Sequence, residues 1–510
     1  MSKFNSNRWK TDNIDDYFQT DHLKDDLKRQ SVRGGIIVVA AQGVKFSVQT
    51  GGTLALAHFL VRDDFGLVAM VTAVVNFVAL FKDLGLSTAT IQRDKITHEQ
   101  VSTLFWANFA ISLLVSIVMV GLAPLVAWFY AEPRLFWIMV ALASSFIFSG
   151  LGVQHAALLK RQMYFSALAK AEMASILLSV GIGIGAASMG VGYWALVLWR
   201  VSQAVSYGIL LWVLCSWRPR RPAWAPGTWS MLTFGGSVTG FSVFNFLSRN
   251  LDNILIGKVW GAGELGLYTM AYRLLLLPIQ QLNAPVTSVA LPALSRLQND
   301  PQKYCRYYYK AIGLITMIGM PIVSFLFVSA DKVILVCLGD KWADVVVLFR
   351  CLMPAAFIGT FNVATGWTFL SLGQTERLFR WGLCSSIANA IIFSVSVQHG
   401  VVTLALAYSL TRPLFLVVVA LYSFQGTSLS LRQLVRTLSK PALTSLLAAL
   451  SIYGFNLLFQ VSHVSMPLAL GVDSVLFFII YLGAWLLIPG GKSQLQELLN
   501  MRQALGAKMN

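Results

Sequence analysis

Six basic residues sit inside stretches that are otherwise apolar: Lys45, Arg200, Arg249, Arg273, Arg350 and Arg412. A cation in hydrocarbon costs at least a few kcal/mol, so each should face a partner or a wet cavity. Only one acid, Asp252, lies comparably deep. Six cations against one acid point to a polar cavity of positive potential, suited to an anionic solute. The spacing sharpens this. Asn245, Arg249 and Asp252 run at i, i+4 and i+7, and Gln42, Lys45 and Gln49 form a matching stripe, so each set occupies one helix face. Both stripes are expected to turn toward a shared central cavity. Pairing of Arg249 with Asp252, which would only lock helices together, is the competing reading. Arg273 follows Tyr268 and Tyr272 and precedes Pro278; it either lines the cavity or is buried against a backbone carbonyl. Arg350 lies near an outer end, where a long side chain can also snorkel. Arg200 and Arg412 lie deeper, as cavity lining or as structural hydrogen bonders near a hinge between halves. Asp252, beside the cations, is the candidate carrier for proton or sodium coupling. Asp473 is either a second ion sensor or a structural acid. Glu172, close to Lys170, is expected at the inner interface, as are His58, His155, His399 and His463 near span ends.

The elements that must position these residues are membrane helices. Of 510 residues 56% are hydrophobic and 12% charged, about half the charged fraction usual in soluble domains. Apolar runs of about 20 residues recur from Gly34 to Pro489. The expected fold is an all-α polytopic membrane protein of about fourteen transmembrane helices. Their approximate limits are 35–60, 65–82, 102–129, 135–158, 163–188, 191–216, 229–257, 263–292, 308–330, 345–371, 378–398, 401–424, 438–460 and 467–489. The longest outer loop is 331–344. With the N-terminus inside, the inner segments hold 28 of the 39 Lys and Arg and the outer loops 5. That bias predicts two cytoplasmic termini and an even number of spans in an inner, or cell, membrane.

The chain repeats internally. Phe65-Gly66-Leu67 matches Leu265-Gly266-Leu267, the inner-end segment Ser87 to Arg93 resembles Pro292 to Arg296, and Ala195 to Arg200 matches Ala407 to Arg412. The ordered offsets fit two pseudo-symmetric six-helix lobes related by an axis along the membrane normal. The expected organisation is a cytoplasmic extension at 1–33 and an N-lobe at 34–216. A basic, Pro-rich linker follows at 217–228, then a C-lobe at 229–424, two further spans within 425–489 and a tail at 490–510. Residues 1–33 carry no secretory signal pattern; they form an amphipathic helix on the inner leaflet or a solvated tail.

Several functions lack their signatures. There is no Gly-x-x-x-x-Gly-Lys phosphate loop, no metal-ligand spacing among the five cysteines and no outer domain for polymerase or ligase chemistry. No enzyme activity, no resident cofactor and no metal are expected. The net charge of +17 is assigned to basic cytoplasmic loops, not to nucleic-acid binding.

Leu84-Gly85-Leu86-Ser87 with Ile91-Gln92-Arg93, then Trp106 and Pro124, resembles the polysaccharide transporters called Wzx flippases. So do Asn250 to Lys258, Gly266-Leu267-Tyr268 and Ala271-Tyr272-Arg273. The resemblance covers roughly 25–490 and is nearest the colanic-acid or exopolysaccharide branch of the multidrug/oligosaccharidyl-lipid/polysaccharide exporter superfamily. It implies two six-helix lobes around a central cavity, two extra helices, and export of undecaprenyl-pyrophosphate-linked oligosaccharide for exopolysaccharide or lipopolysaccharide synthesis. Membrane lipids, a polysaccharide polymerase and glycosyltransferases are the partners it implies. The resemblance does not assign ligand residues, so the cationic list rests on the charge argument. Multidrug export of organic cations and flipping of a peptidoglycan precursor are the alternatives; a lumen rich in Lys and Arg opposes the first.

Overall fold

This computed structural model describes residues 17–18, 27–82, 85–93, 96–222, 236–458, 465–488 and 491; at 27–40, 236–249 and 277 it describes the backbone alone. The described residues contain helices and no strand. In chain order these are α1 (Leu27–Phe59), α2 (Arg62–Ala79), α3 (Leu86–Gln92), α4 (His98–Tyr130) and α5 (Arg134–Arg161). There follow α6 (Phe165–Ser188), α7 (Trp194–Leu214), α8 (Gly236–Arg296), α9 (Pro301–Val328) and α10 (Ala330–Leu338). The last five are α11 (Val345–Ser371), α12 (Thr375–Ser396), α13 (Val401–Phe424), α14 (Leu431–Leu458) and α15 (Met466–Leu487).

Among the described residues, every range expected to span falls mainly on a helix. The seventh and eighth share α8, which breaks at Gly261, where φ is 81°, a backbone conformation that glycine adopts without Cβ strain. Ten helices among the described residues are long and apolar enough to cross a membrane, or eleven with a bent pair on α8, against about fourteen expected. Helix α2 opens on Arg62-Asp63-Asp64, and the polar stripe Gln42, Lys45 and Gln49 dilutes the apolarity of α1; much of the seventh expected range, 229–257, lies outside the fully described residues. The protein is a multi-pass membrane protein. The expected outer loop 331–344 is not a plain loop: α10 and a 3-10 turn, Asp340–Trp342, occupy it, with Trp342 buried.

The chain divides into two compact units, Met1–Gly266 and Leu267–Asn510. In the first, α4 packs on α5, α6 on α7, α5 on α7, and α1 on α6. In the second, α9 packs on α11, α12 on α13, and α11 on α13; α14 and α15 pair with each other and α14 docks on α9. Counted as spans, three pairings recur: third with fourth, fifth with sixth, and fourth with sixth.

The division falls at 266/267, beyond the basic linker at 217–228, because the segment before Gly266 packs on α2. A Cβ on Gly66 would lie 1.7 Å from the Ala262 carbonyl oxygen, and one on Gly266 would lie 2.0 Å from that of Arg62. The contacts are reciprocal, each joining one motif to its counterpart 200 positions on, as in an isologous interface.

The first unit carries a buried polar core. Thr90 Oγ1 donates to Gln154 Oε1 at 2.8 Å, and Gln154 Nε2 donates to Asn108 Oδ1 at 2.7 Å. Three helices, α3, α4 and α5, are thereby tied with their side-chain polar groups satisfied, as a buried network requires. Near it lies an aromatic cluster. His155 stacks on Trp212 at 4.6 Å between ring centres and meets Phe105 and Trp217 edge-on. His155 was expected at an interface; it is fully buried, because its ring completes this aromatic box.

Tyr17 and Phe18 are buried in the same cluster. Arg161 donates to the Phe18 carbonyl at 3.3 Å and to that of Thr90 at 3.1 Å. The Tyr17 hydroxyl accepts from the Ser216 amide at 3.3 Å. This part of the N-terminal extension is therefore bound to protein, neither lying on the leaflet nor solvated; burial of two aromatic rings drives the docking.

Gly66→Ala and Gly266→Ala should each destabilise the protein by about 1–3 kcal/mol or more, because the added methyl meets backbone that cannot rotate away. Gly121→Ala on α4, where a Cβ meets nothing within 4 Å, should stay within about 0.5 kcal/mol. Thermal unfolding of the purified variants checks both; equal behaviour of the three would sink the close-approach argument.

Candidate functional site

The first unit holds the Lys45 group. Packing of α1 on α6 brings Lys45 Nζ to 2.5 Å from Glu172 Oε1. The two side chains are 29% and 35% exposed, so the pair is open to a ligand on one side. Glu172 was expected to be an interfacial acid. It lies two turns into α6 and is the counter-charge of Lys45. Gln49, one turn further along α1, is half-buried, and its carbonyl accepts from Thr53 Oγ1 at 2.8 Å. Arg200, on α7, is exposed and makes no hydrogen bond or ion pair among the described residues. The side chains of Asn245 and Arg249 lie outside the described residues, so the Arg249–Asp252 alternative stays open.

The second unit holds an arginine–aromatic group. Tyr268 stacks on Tyr272 at 5.9 Å, one residue before Arg273, which is exposed on α8. The Tyr272 hydroxyl lies 3.2 Å from that of Tyr408, which brings α8 to α13. The Arg412 guanidinium sits 3.9 Å from the centre of the Tyr408 ring, and Phe393 stacks with the same tyrosine at 5.9 Å between ring centres. Arg412 Nη2 donates to Asn389 Oδ1 at 3.3 Å, while its buried Nε has no partner among the described residues. Tyr408, one turn before Arg412, was readable from the spacing of four. Asn389 comes from α12 and left no local signal.

The remaining candidates are held in ion pairs or helix structure. Arg350, on α11, pairs with Asp331 of α10 at the surface, so its partner is an acid rather than the bilayer interface. Asp473, 1% exposed, accepts from Lys332 Nζ at 2.6 Å and from Asn456 Nδ2 at 3.2 Å. It thus ties α10, α14 and α15. Asp252 is 5% exposed, and its Oδ1 accepts from the Asn253 amide at 2.8 Å. Among the described residues no group of three or more His, Cys, Asp or Glu is placed to hold a metal.

These groups can hold an anion at membrane depth. A guanidinium stacked on tyrosine keeps its planar fork in one orientation, and its edge remains available to an oxyanion. A lysine whose partner among the described residues is a carboxylate about one-third exposed can exchange that partner for a ligand.

A family profile described as "Polysaccharide biosynthesis protein" matches residues 55–347, more than half of the chain. The teichuronic acid biosynthesis protein TuaB of Bacillus subtilis (strain 168) is 27% identical over 76% of this chain and 81% of its own. The lipopolysaccharide biosynthesis protein WzxC of Escherichia coli (strain K12) is 22% identical over 64% of this chain and 67% of its own. Among solved structures, the lipid II flippase MurJ in an inward closed conformation superposes with a TM-score of 0.70. It covers 88% of this chain and 98% of its own at 13% identity, a likeness of fold.

The Lys45–Glu172 geometry predicts a coupled pair. Lys45→Gln and Glu172→Gln should each lower stability, and the double variant should lose less than their sum by about 1 kcal/mol. A double-mutant cycle on thermal or denaturant unfolding reads the difference; strict additivity would mean that the pair contributes nothing.

Proposed function

The chain belongs to the polysaccharide biosynthesis protein family, and on that premise we propose that it translocates an undecaprenyl-pyrophosphate-linked oligosaccharide repeat unit across the inner membrane. The observation that carries this reading is the repeat-related pair Arg200 and Arg412. Both sit inside apolar helices, and neither has its donors fully satisfied among the described residues. An arginine donor left without an acceptor is costly away from water, and a pyrophosphate supplies several charged acceptors in the planar geometry that guanidinium prefers. A place in polysaccharide assembly is what the relatives' names support, and the fold is one that a lipid flippase also has.

The proposed cycle is alternating access. A cavity open to the cytoplasm admits the glycan and the pyrophosphate, while the polyprenyl tail stays in lipid. Lys45 exchanges Glu172 for a phosphate oxygen, Arg412 presents its free edge, and Arg200, Arg249 and Arg273 add positive potential. Reopening to the far side releases the glycan there. Neither the charged headgroup nor the sugar hydroxyls could cross hydrocarbon unaided. An outside-positive potential helps by about 2.3 kcal/mol per negative charge per 100 mV. With Asp473 held by Lys332, Asp252 is the acid we assign to proton or sodium coupling. Both termini are taken as cytoplasmic, from the basic-residue bias, and the pathway's glycosyltransferases and polymerase are the proposed upstream and downstream partners.

The test is lipid-linked glycan accumulation in a deletion strain complemented with variants matched for membrane expression. The deletion should trap an inward-facing lipid-linked repeat. Lys45→Ala, Arg200→Ala, Arg273→Ala and Arg412→Ala should each slow its clearance by about tenfold or more, the size of a lost hydrogen bond to a charged group. Absence of any trapped glycan removes the substrate class and makes organic-cation export the next assay. Normal clearance by the variants removes the site. An unchanged ion dependence in Asp252→Asn would exclude the coupling role.

A further inference from the structure

The second unit contains a large cavity that this transport scheme does not use. It has a volume of about 1210 Å³ and is walled by α9, α14 and the end of α15. Five cations line it: Arg306 and Lys310 from α9, with Arg432, Arg436 and Lys440 from α14. None of its described lining residues is acidic. Arg306, Arg432 and Arg436 are exposed and make no ion pair or hydrogen bond among the described residues. Both cationic rows follow a spacing of four, so each is a single helix face. The two rows are fixed to each other. The Tyr309 hydroxyl donates to the Ser430 carbonyl at 2.9 Å and accepts from the Ser430 amide at 2.8 Å, which pins the start of α14 to α9.

The cavity changes character with depth. Along α9 the wall runs from Arg306 through Lys310 to Leu314 and Met317, a descent of about 16 Å at the helical rise per residue. Trp485 of α15 also lines it. That ring is 3% exposed, and its indole Nε1 has no hydrogen-bond partner among the described residues. A buried indole N–H ordinarily finds an acceptor. Three exposed arginines with no ion pair among the described residues and an orphaned indole donor want an anion; the apolar wall below them wants a chain of methylenes.

We propose that this cavity binds the phosphate headgroup of a membrane lipid, with the cations of α9 and α14 on the phosphate and the lipid's hydrocarbon along the deeper wall. The site is formed by α9 together with α14 and α15, the two helices outside the six-span repeats, and it shares no residue with the Lys45 and Arg412 groups. Two lipids carry this chemistry, an anionic phospholipid and a polyprenyl phosphate. A nucleic acid or an acidic protein segment would use the cations but leave the apolar depth empty. The cytoplasmic placement of the cavity rests on the proposed orientation; the binding itself does not.

The experiment uses the purified full chain in phosphatidylcholine nanodiscs, with phosphatidylglycerol, undecaprenyl phosphate or inorganic pyrophosphate added separately, and measures retained ligand by native mass spectrometry. The wild-type protein should retain one of the two lipids, and which one identifies the source. Arg436→Gln should weaken retention about fivefold and Arg432→Gln/Arg436→Gln about thirtyfold, from the usual contribution of a basic residue near a lipid phosphate. Trp485→Phe should weaken it about tenfold by removing one donor to a charged acceptor. Arg380→Gln, an exposed arginine paired with Glu376 outside the cavity, should leave it unchanged. The proposal is overturned if neither lipid is retained, if pyrophosphate alone binds, or if Arg380→Gln weakens retention as much as Arg436→Gln. Because retention is read without export, a failure here is distinct from a failure of the transport assay.

Discussion

A charge inside hydrocarbon must be answered by another polar group, and that constraint organises this protein. Lys45 is answered by Glu172, Lys332 by Asp473 and Asn456, and Arg412 by Asn389 and the face of Tyr408. The first two answers join helices distant in sequence and the third joins the consecutive α12 and α13, so the polar pairs act as registration marks between helices whose apolar surfaces would otherwise pack in several ways. Lipid tails are as apolar as leucine, and burial of apolar surface therefore discriminates poorly between helix pairings in a bilayer. Polar partners and close backbone approaches supply the discrimination instead. Gly66 against Ala262 and Gly266 against Arg62 are the backbone version of the same device.

The fold was legible to the extent that it depends on apolar run length. The described parts of the expected ranges lie almost wholly on helices, ten or eleven of them counted as spans, because about 20 apolar residues leave a chain in lipid no other way to satisfy its backbone. Run length says nothing about which helix leans on which. The paired Phe65-Gly66-Leu67 and Leu265-Gly266-Leu267 motifs were visible as a repeat, yet their packing against each other was not, since a match reports common ancestry of segments and not contact. At Tyr17 and Phe18 the expectation of a leaflet helix or a solvated tail failed for a related reason. Aromatic residues suit a lipid surface and a protein groove equally well, and only the tertiary structure shows Tyr17 and Phe18 seated beside Trp217.

Site residues divided along the same line. Spacing put Lys45 with Gln49, and it held the relation of Tyr408 to Arg412 unread, because both relations lie within one helix. Partners from other helices were invisible or misread: Glu172 looked interfacial from its neighbour Lys170, Asp331 looked like a loop residue, and Asn389 left no signal. His155 was read by its distance from a span end, whereas its environment is set by Trp212 and Phe105 across two helix interfaces.

The ion pairs themselves separate into two kinds by exposure. Asp473 has a side chain 2% exposed and two partners. Removing either partner would leave a charge with no water to receive it, a change costing several kcal/mol, so this pair holds structure and resists exchange. Lys45 and Glu172 are each about one-third exposed. Water already solvates part of both, the net contribution of such a pair lies near that of surface pairs at about 0–1 kcal/mol, and an arriving oxyanion can take the place of the carboxylate at little cost. A lysine meant to bind and release a charged substrate needs that kind of partner: strong enough to make the empty state tolerable in the membrane, and weak enough to be displaced. Burial of the acid, more than the identity of the cation, thus distinguishes a residue that builds the protein from one able to work in it.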